Sequence, residues 1–272
     1  MAKFDPTYKY ALDEEHGIFV QLVNASLDGF SPRLLSLGDL KTPSKPVDVL
    51  AVLFDLEGFT TFTRQVDPQL TVPSFVSDFL DWLFDTIKGE LAFDAKQQLL
   101  WAELPFFSKF MGDGVLFLWK LDLDRIVGID PNQPADKIRS QIQEFLTNIV
   151  ASLLEVCDKY DLFLKRARTQ HVDPPTRLRC GMARGTVIPI GRGTDFVGPC
   201  INIAARLQKF NDLSFAFSAR GIDASGFGPD YRDKFVKKRV SIRGIGDNEL
   251  IYVPKEEVAK LPADVQALFR DP

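Results

Sequence analysis

The chain is short of cysteine, of basic excess and of long apolar runs, and each shortage closes off a class of function. Its three cysteines, Cys157, Cys180 and Cys200, are scattered and odd in number, which indicates neither a disulfide framework nor a Cys-rich zinc site. A net charge of −4 and a pI near 5.4 argue against a nucleic-acid partner bound through phosphate neutralisation. No apolar run approaches the roughly 20 residues of a membrane span, so no membrane insertion is expected. Met1 to Gly17 carries Asp5, Asp13, Glu14 and Glu15 instead of the basic-then-apolar pattern of a targeting segment. No internal repeat is present, and nothing in the first part reads as a sensor or receiver module. The expectation is a soluble, cytosolic protein.

What is present can bury a sizeable core: 272 residues, 45% hydrophobic and 26% charged, read as one large domain with an extension. The stretch from Val49 to Thr60 organises the rest. Its Val- and Leu-rich run is short enough for a buried strand and ends in a carboxylate, Asp55, followed by Gly58, Phe59 and Thr60. Gly58 permits a tight turn, and helix-spaced apolar residues follow from Pro73 onward. Such a turn sets an acid beside backbone N–H groups able to hold phosphates.

Before this stretch, Phe19, Leu22, Val23 and Leu27 predict an amphipathic helix ending near Asp28-Gly29, then a loop with Pro32, Pro43 and Pro46. After it, Phe75, Phe79, Trp82, Leu83 and Ile87 form a helical stripe, with Asp78, Asp81 and Asp85 largely on other faces. Phe106 to Trp119 reads as a hairpin turning at Met111-Gly112-Asp113-Gly114. A long helix spans Ile138 to Val156, a strand Leu178 to Val187, and a turn Gly191-Arg192-Gly193. Ile201 to Lys209 is a helix carrying Asn202 and Arg206 on one face. Phe215 to Ser218 and Val236 to Val253 supply the last strands, and Pro254 opens a helical tail. The order strand-helix-strand-strand-helix-strand is the split βαβ pattern, giving an α+β, ferredoxin-like core.

Asp55 at a strand end and Asp113 in a hairpin turn can share hard divalent ions such as Mg²⁺ or Mn²⁺, which prefer oxygen ligands. Around them the sequence resembles the class III nucleotide cyclases. Where that family shows Phe-x-Asp-Ile-x-Gly-Phe-Thr, Asp55-Leu56-Glu57-Gly58-Phe59-Thr60 stands in its place, and its Lys-x-x-Gly-Asp is matched by Lys109 to Asp113. Gly181, Gly185 and Val187 match its Gly-x-x-x-Gly-x-Val strand, and its Gly-x-x-Val-Asn-x-Ala-Ala-Arg-Leu helix appears as Gly198-Pro-Cys-Ile-Asn-Ile-Ala-Ala-Arg-Leu207. Ile242-Arg243-Gly244 answers its closing Leu-Lys-Gly. The resemblance covers roughly residues 47–253, with 1–46 a helical extension and 254–272 a helical tail.

The resemblance implies a fold, an activity and residue roles. Asp55 and Asp113 would hold two divalent cations, Mg²⁺ or Mn²⁺. Backbone N–H groups from Leu56 to Thr60 would bind outer phosphates. Asn202 would orient the ribose, Arg206 would stabilise charge on the α-phosphate, and Arg243 would hold the terminal phosphates. The family builds its sites between two subunits, so a homodimer with shared active sites is implied. A nucleoside triphosphate would give a 3′,5′-cyclic nucleotide and pyrophosphate.

For the base, Lys109 and Asp195 match the pair that reads adenine in adenylate cyclases. Three departures point instead to a one-ring base: Phe54 before the first acid, Phe106-Phe107 before Lys109, and a short turn between Gly185 and Asp195. Core filling is the bland reading of these phenylalanines. The bare architecture is similar to the Pycsar pyrimidine cyclases of bacterial anti-phage defence, which signal through cyclic UMP or cyclic CMP to an effector. The expectation is therefore a pyrimidine cyclase, UTP before CTP, with adenylate cyclase as the alternative. A non-catalytic, cyclase-like dimerisation module would be expected to have lost one or more of Asp55, Asp113, Asn202 and Arg206.

Overall fold

The computed structural model describes residues 7–23, 30–92, 99–122, 134–210 and 212–272, which fall into two compact units. One comprises residues up to Pro46 together with Ile188–Val197; the other comprises Val47–Val187 and Gly198–Pro272.

In the first unit, β1 (Tyr8–Asp13) pairs antiparallel with β2 (Ile18–Val23), Leu12 opposite Phe19. The expected helix over Phe19, Leu22 and Val23 is therefore corrected to a strand, while Leu27 and Asp28-Gly29 lie outside the described residues. Ile18, Phe19, Val20 and Val23 are β-branched or aromatic residues that favour a pleated strand once a partner is present. The turn closes with the Gly17 N–H donating to the Asp13 carbonyl (2.8 Å), and the Asp13 carboxylate accepts from the Glu15 N–H (3.1 Å). Farther on, Thr194 Oγ1 donates to the Leu37 carbonyl (3.0 Å) and Ser44 Oγ to that of Pro189 (2.6 Å).

The second unit holds the split βαβ core. Its strands are β3 (Val47–Glu57), β4 (Phe107–Phe110), β5 (Gly114–Lys120) and β6 (Arg177–Ile190), whose last residues enter the first unit and pair there with β7 (Asp195–Val197). Then come β8 (Phe215–Ser218), β9 (Phe235–Ile242) and β10 (Gly246–Pro254). The helices are α1 (Phe59–Phe62), α2 (Pro68–Leu91), α3 (Ala135–Ala167), α4 (Pro199–Leu207), α5 (Pro229–Arg232), α6 (Lys255–Lys260) and α7 (Ala263–Gln266). The sheet order is β4-β5-β3-β6-β8-β10-β9, antiparallel except where β8 runs parallel to β6. Among the described residues no helix is long and apolar enough to cross a membrane.

Alternation along β3 divides its side chains between two faces. Leu50, Val52, Phe54 and Leu56 join the core with α2 and α3, where Phe75, Phe79, Leu83, Ile87 and Leu91 recur at helical spacing. Each such buried side chain contributes roughly 2 kcal/mol of transfer free energy before entropy is subtracted. Helix α2 starts earlier than Pro73: Asp67 in the left-handed region precedes Pro68, which suits the first helical turn. Pro73 lies inside the helix and forfeits one backbone bond there.

Helix α4 packs against β3 and β6. A Cβ at Gly181 would lie 2.2 Å from the Ala204 carbonyl oxygen and 2.3 Å from the Gln208 nitrogen, so helix backbone rests directly on strand backbone. Because both obstructing atoms belong to the main chain, Gly181→Ala should lower unfolding stability by on the order of 3 kcal/mol, read as a reduced urea midpoint with unchanged slope. A midpoint equal to wild type would refute this packing.

Candidate active site

Strand register brings the two acids together. Asp55 stands opposite Gly114 on β5 and opposite Arg179 on β6. Gly114 admits no side chain, since a Cβ there would lie 2.0 Å from the Phe54 carbonyl oxygen. The β4–β5 turn is tied back to β3 by the Leu56 N–H, which donates to the Asp113 carbonyl at 2.9 Å. That N–H is thereby taken, which corrects its expected role in phosphate binding. The N–H groups of Phe59 and Thr60 open α1 beyond Gly58, where no earlier helical turn accepts from them.

The Asp55 side chain is only 1% exposed, and Arg179, at 15%, compensates its charge. Arg179 donates to Asp55 Oδ2 through Nε (3.1 Å) and Nη2 (2.5 Å). Lys209, just past the end of α4, brings its Nζ to 3.1 Å from Asp55 Oδ1 and 3.4 Å from Asp113 Oδ2. Asp55 Oδ1 is buried and has no hydrogen-bond partner; its close neighbour is the Lys209 ammonium, in ion-pair contact. Burial pulls the Lys209 ammonium down, but the Asp55 and Asp113 carboxylates outweigh it and hold its pKa above the usual lysine value. Glu57 and Arg177 pair in the same cross-strand manner (2.7 Å).

The donor set fits a hard divalent cation: two carboxylates, one with a buried oxygen lacking a donor, already share a single positive charge. Among the described residues no cluster of three or more His, Cys, Asp or Glu side chains accompanies them. Further ligands would then be carbonyls, water and substrate phosphates, as Mg²⁺ commonly takes.

The other expected residues are placed less centrally. Asn202 and Arg206 lie exposed on α4, and neither reaches ion-pair or hydrogen-bond distance of the acid pair within the chain. Lys109 is exposed on β4, and Arg243 is exposed in the β9–β10 turn. Asp195 begins β7 in the first unit and accepts from the Phe196 N–H at 2.9 Å. Phe54 is corrected from pocket wall to core: it is 1% exposed and meets Phe117 edge-on at 6.1 Å. Alternation sends it to the sheet face opposite Asp55. Phe106 is exposed and Phe107 half-buried. Beside Gly185, burial pushes the Cys200 thiol up to about 11, leaving it a packing group.

Sequence reasoning missed Arg179 and Lys209. Arg179 had a signal, because Arg177-Leu178-Arg179-Cys180 alternates charge with apolar character, as does Asp55-Leu56-Glu57 on the paired strand. Lys209 had none, since its reach depends on how deeply α4 packs.

No family model matches the chain, and no curated protein matches it in sequence. Among solved structures it is similar to the adenylyl cyclase CyaB from P. aeruginosa, with TM-score 0.53 and 16% identity over 78% of this chain and 96% of that one. A bacterial light-regulated adenylyl cyclase is similar with TM-score 0.50 and 15% identity, over 84% of this chain and 56% of that one. At such identities the likeness is one of fold: the chain has the α+β fold of these class III cyclases.

The two acids should differ sharply in structural cost. Arg179→Met strands a buried carboxylate and should lower unfolding stability by about 3 kcal/mol in urea denaturation. Asp113→Ala, at a side chain 38% exposed, should change it by no more than about 0.5 kcal/mol. Equal effects would contradict the burial assigned to Asp55.

Proposed function

We propose that the chain is a class III nucleotidyl cyclase that turns a nucleoside triphosphate into a 3′,5′-cyclic nucleotide and pyrophosphate. The observation that carries this reading is the convergence of Asp55 and Asp113 on one cation position, at the end of the central strand of a cyclase fold. Asp55 and Asp113 would hold two divalent cations, Mg²⁺ or Mn²⁺. When bound, these supply Lewis-acid activation of the ribose hydroxyl and neutralisation of the pyrophosphate charge. The N–H groups of Gly58, Phe59 and Thr60 would cradle outer phosphates, with Arg243 adding charge. Asn202 would orient the ribose, and Arg206 would meet charge developing on the α-phosphate. Neither reaches the acids of its own chain, which supports a homodimer in which each copy completes the other's site. A dimerisation module without activity would have no need of all four groups.

The substrate we favour is a pyrimidine triphosphate, UTP before CTP, with the product read by a separate cyclic-nucleotide-responsive effector in antiviral defence. With Phe54 in the core, support comes from Phe106 and Phe107 leading into Lys109, and from the short turn before Asp195. Lys109 can donate to a pyrimidine carbonyl as readily as to a purine nitrogen. ATP is the second reading, favoured by the sequence match of Lys109 and Asp195 to the residues that read adenine in adenylate cyclases.

Asp55→Asn and Asp113→Asn should each lower Mn²⁺-dependent turnover by on the order of a thousandfold while the protein stays folded. Asn is preferred to Ala at 55 because it keeps shape beside Arg179. Mixed after subunit exchange, Asp113→Asn and Arg206→Ala proteins should recover roughly a quarter of wild-type activity, since half the dimers carry one intact site. No recovery despite exchange would count against shared sites.

Incubation with each of ATP, GTP, CTP and UTP should yield cyclic UMP as the main product, with kcat/KM for UTP about a hundredfold above ATP. Phe106→Ala should narrow that ratio, whereas Phe54→Ala should act on stability, at about 3 kcal/mol. Cyclic AMP as the main product would install the adenylate cyclase reading.

A further inference from the structure

The two cations on the acid pair are not equivalent. Arg179 belongs to a central strand, is largely buried, and grips one oxygen of Asp55 with two donors. Lys209 lies beyond the end of α4, and its side chain is 49% exposed. Its ammonium lies between carboxylates from two different strand ends, beside the buried Asp55 oxygen that lacks a donor. A divalent cation shared by Asp55 and Asp113 would need the same place, and the two cannot occupy it together.

We propose that Lys209 is a built-in counter-ion of the acid pair, which holds Asp55 and Asp113 together until a divalent cation displaces it. This rests on the reading of both acids as metal ligands. With Lys209 in place, the local set of two acids, Arg179 and Lys209 is formally neutral; with Lys209 swung into solvent it carries one negative charge. Metal therefore binds only the fraction of molecules in which the lysine is out, and its apparent affinity falls by that fraction. An occupancy of nine molecules in ten would cost about tenfold in affinity. Lys209 acts here as a positioning residue that sets the metal requirement of the site. An ordinary surface ion pair would instead affect stability alone.

The test uses the full chain without nucleotide, titrated with Mn²⁺ while free Mn²⁺ is followed by electron paramagnetic resonance. Lys209→Met and Lys209→Gln should bind Mn²⁺ about tenfold more tightly than wild type, and Lys209→Arg should stay close to wild type. The rise in thermal midpoint caused by Mn²⁺ should be larger for Lys209→Met, and Asp55→Asn should abolish binding. Unchanged or weaker binding in both lysine variants, with Asp55→Asn still abolishing it, overturns the role of Lys209 and leaves the metal reading intact. Binding that persists in Asp55→Asn overturns both.

Discussion

The second unit is built around a charge that water does not reach. An isolated carboxylate loses several kcal/mol when taken out of solvent, so Asp55 can sit at the end of β3 only with a cation supplied by the protein. Arg179 meets that need from directly across the β3–β6 pairing. A slip of one residue would turn every side chain of β3 over. Asp55 would then enter the layer that holds Phe117 and α2, and Phe54 would leave it. The apolar alternation of β3 and the Asp55–Arg179 pair thus enforce the same register.

A second constraint links that strand to the helix behind it. The missing side chain at Gly181 lets α4 approach β6 until main-chain atoms touch. That depth decides where the residues after the helix emerge, and so brings Lys209 within reach of both acids. On the other side, the hydrogen bond from the Leu56 N–H to the Asp113 carbonyl fixes the β4–β5 turn against β3. The acid pair is defined by main-chain contacts on both flanks, which is what a site requiring fixed geometry needs.

Local patterning made the split βαβ order legible, because each core element carries its own period: Val49–Leu56 as a buried run, Phe75 to Ile87 as a helical stripe, Met111 to Gly114 as a turn. The first unit was misread where the period was ambiguous. Phe19, Leu22 and Val23 satisfy helical spacing, but their partner strand, Tyr8–Asp13, decides the matter and cannot be seen from spacing. Phe54 was misassigned for a related reason. Its place in sequence beside Asp55 suggests proximity in space, whereas adjacent strand residues point to opposite faces. Asp55 and Asp113 could be paired from motif and turn, but Lys209 belongs to tertiary packing alone.

Stability does not account for the charge at 55. Replacing a buried ion pair by well-packed apolar residues is often neutral or stabilising, by about 1–4 kcal/mol. The neighbours Val49, Leu50, Ala51, Val52, Leu53, Phe54 and Leu56 are all buried and all apolar. A chain needing only this fold would be served by one more apolar residue at 55, with Arg179 replaced to match. Instead it carries a carboxylate, a strand arginine to balance it, a second carboxylate in the adjoining turn and a lysine spanning the two. Such a local departure from the fold's own rule is expected where chemistry is done. The cost of burying Asp55 is thus an argument for activity, independent of the likeness in fold.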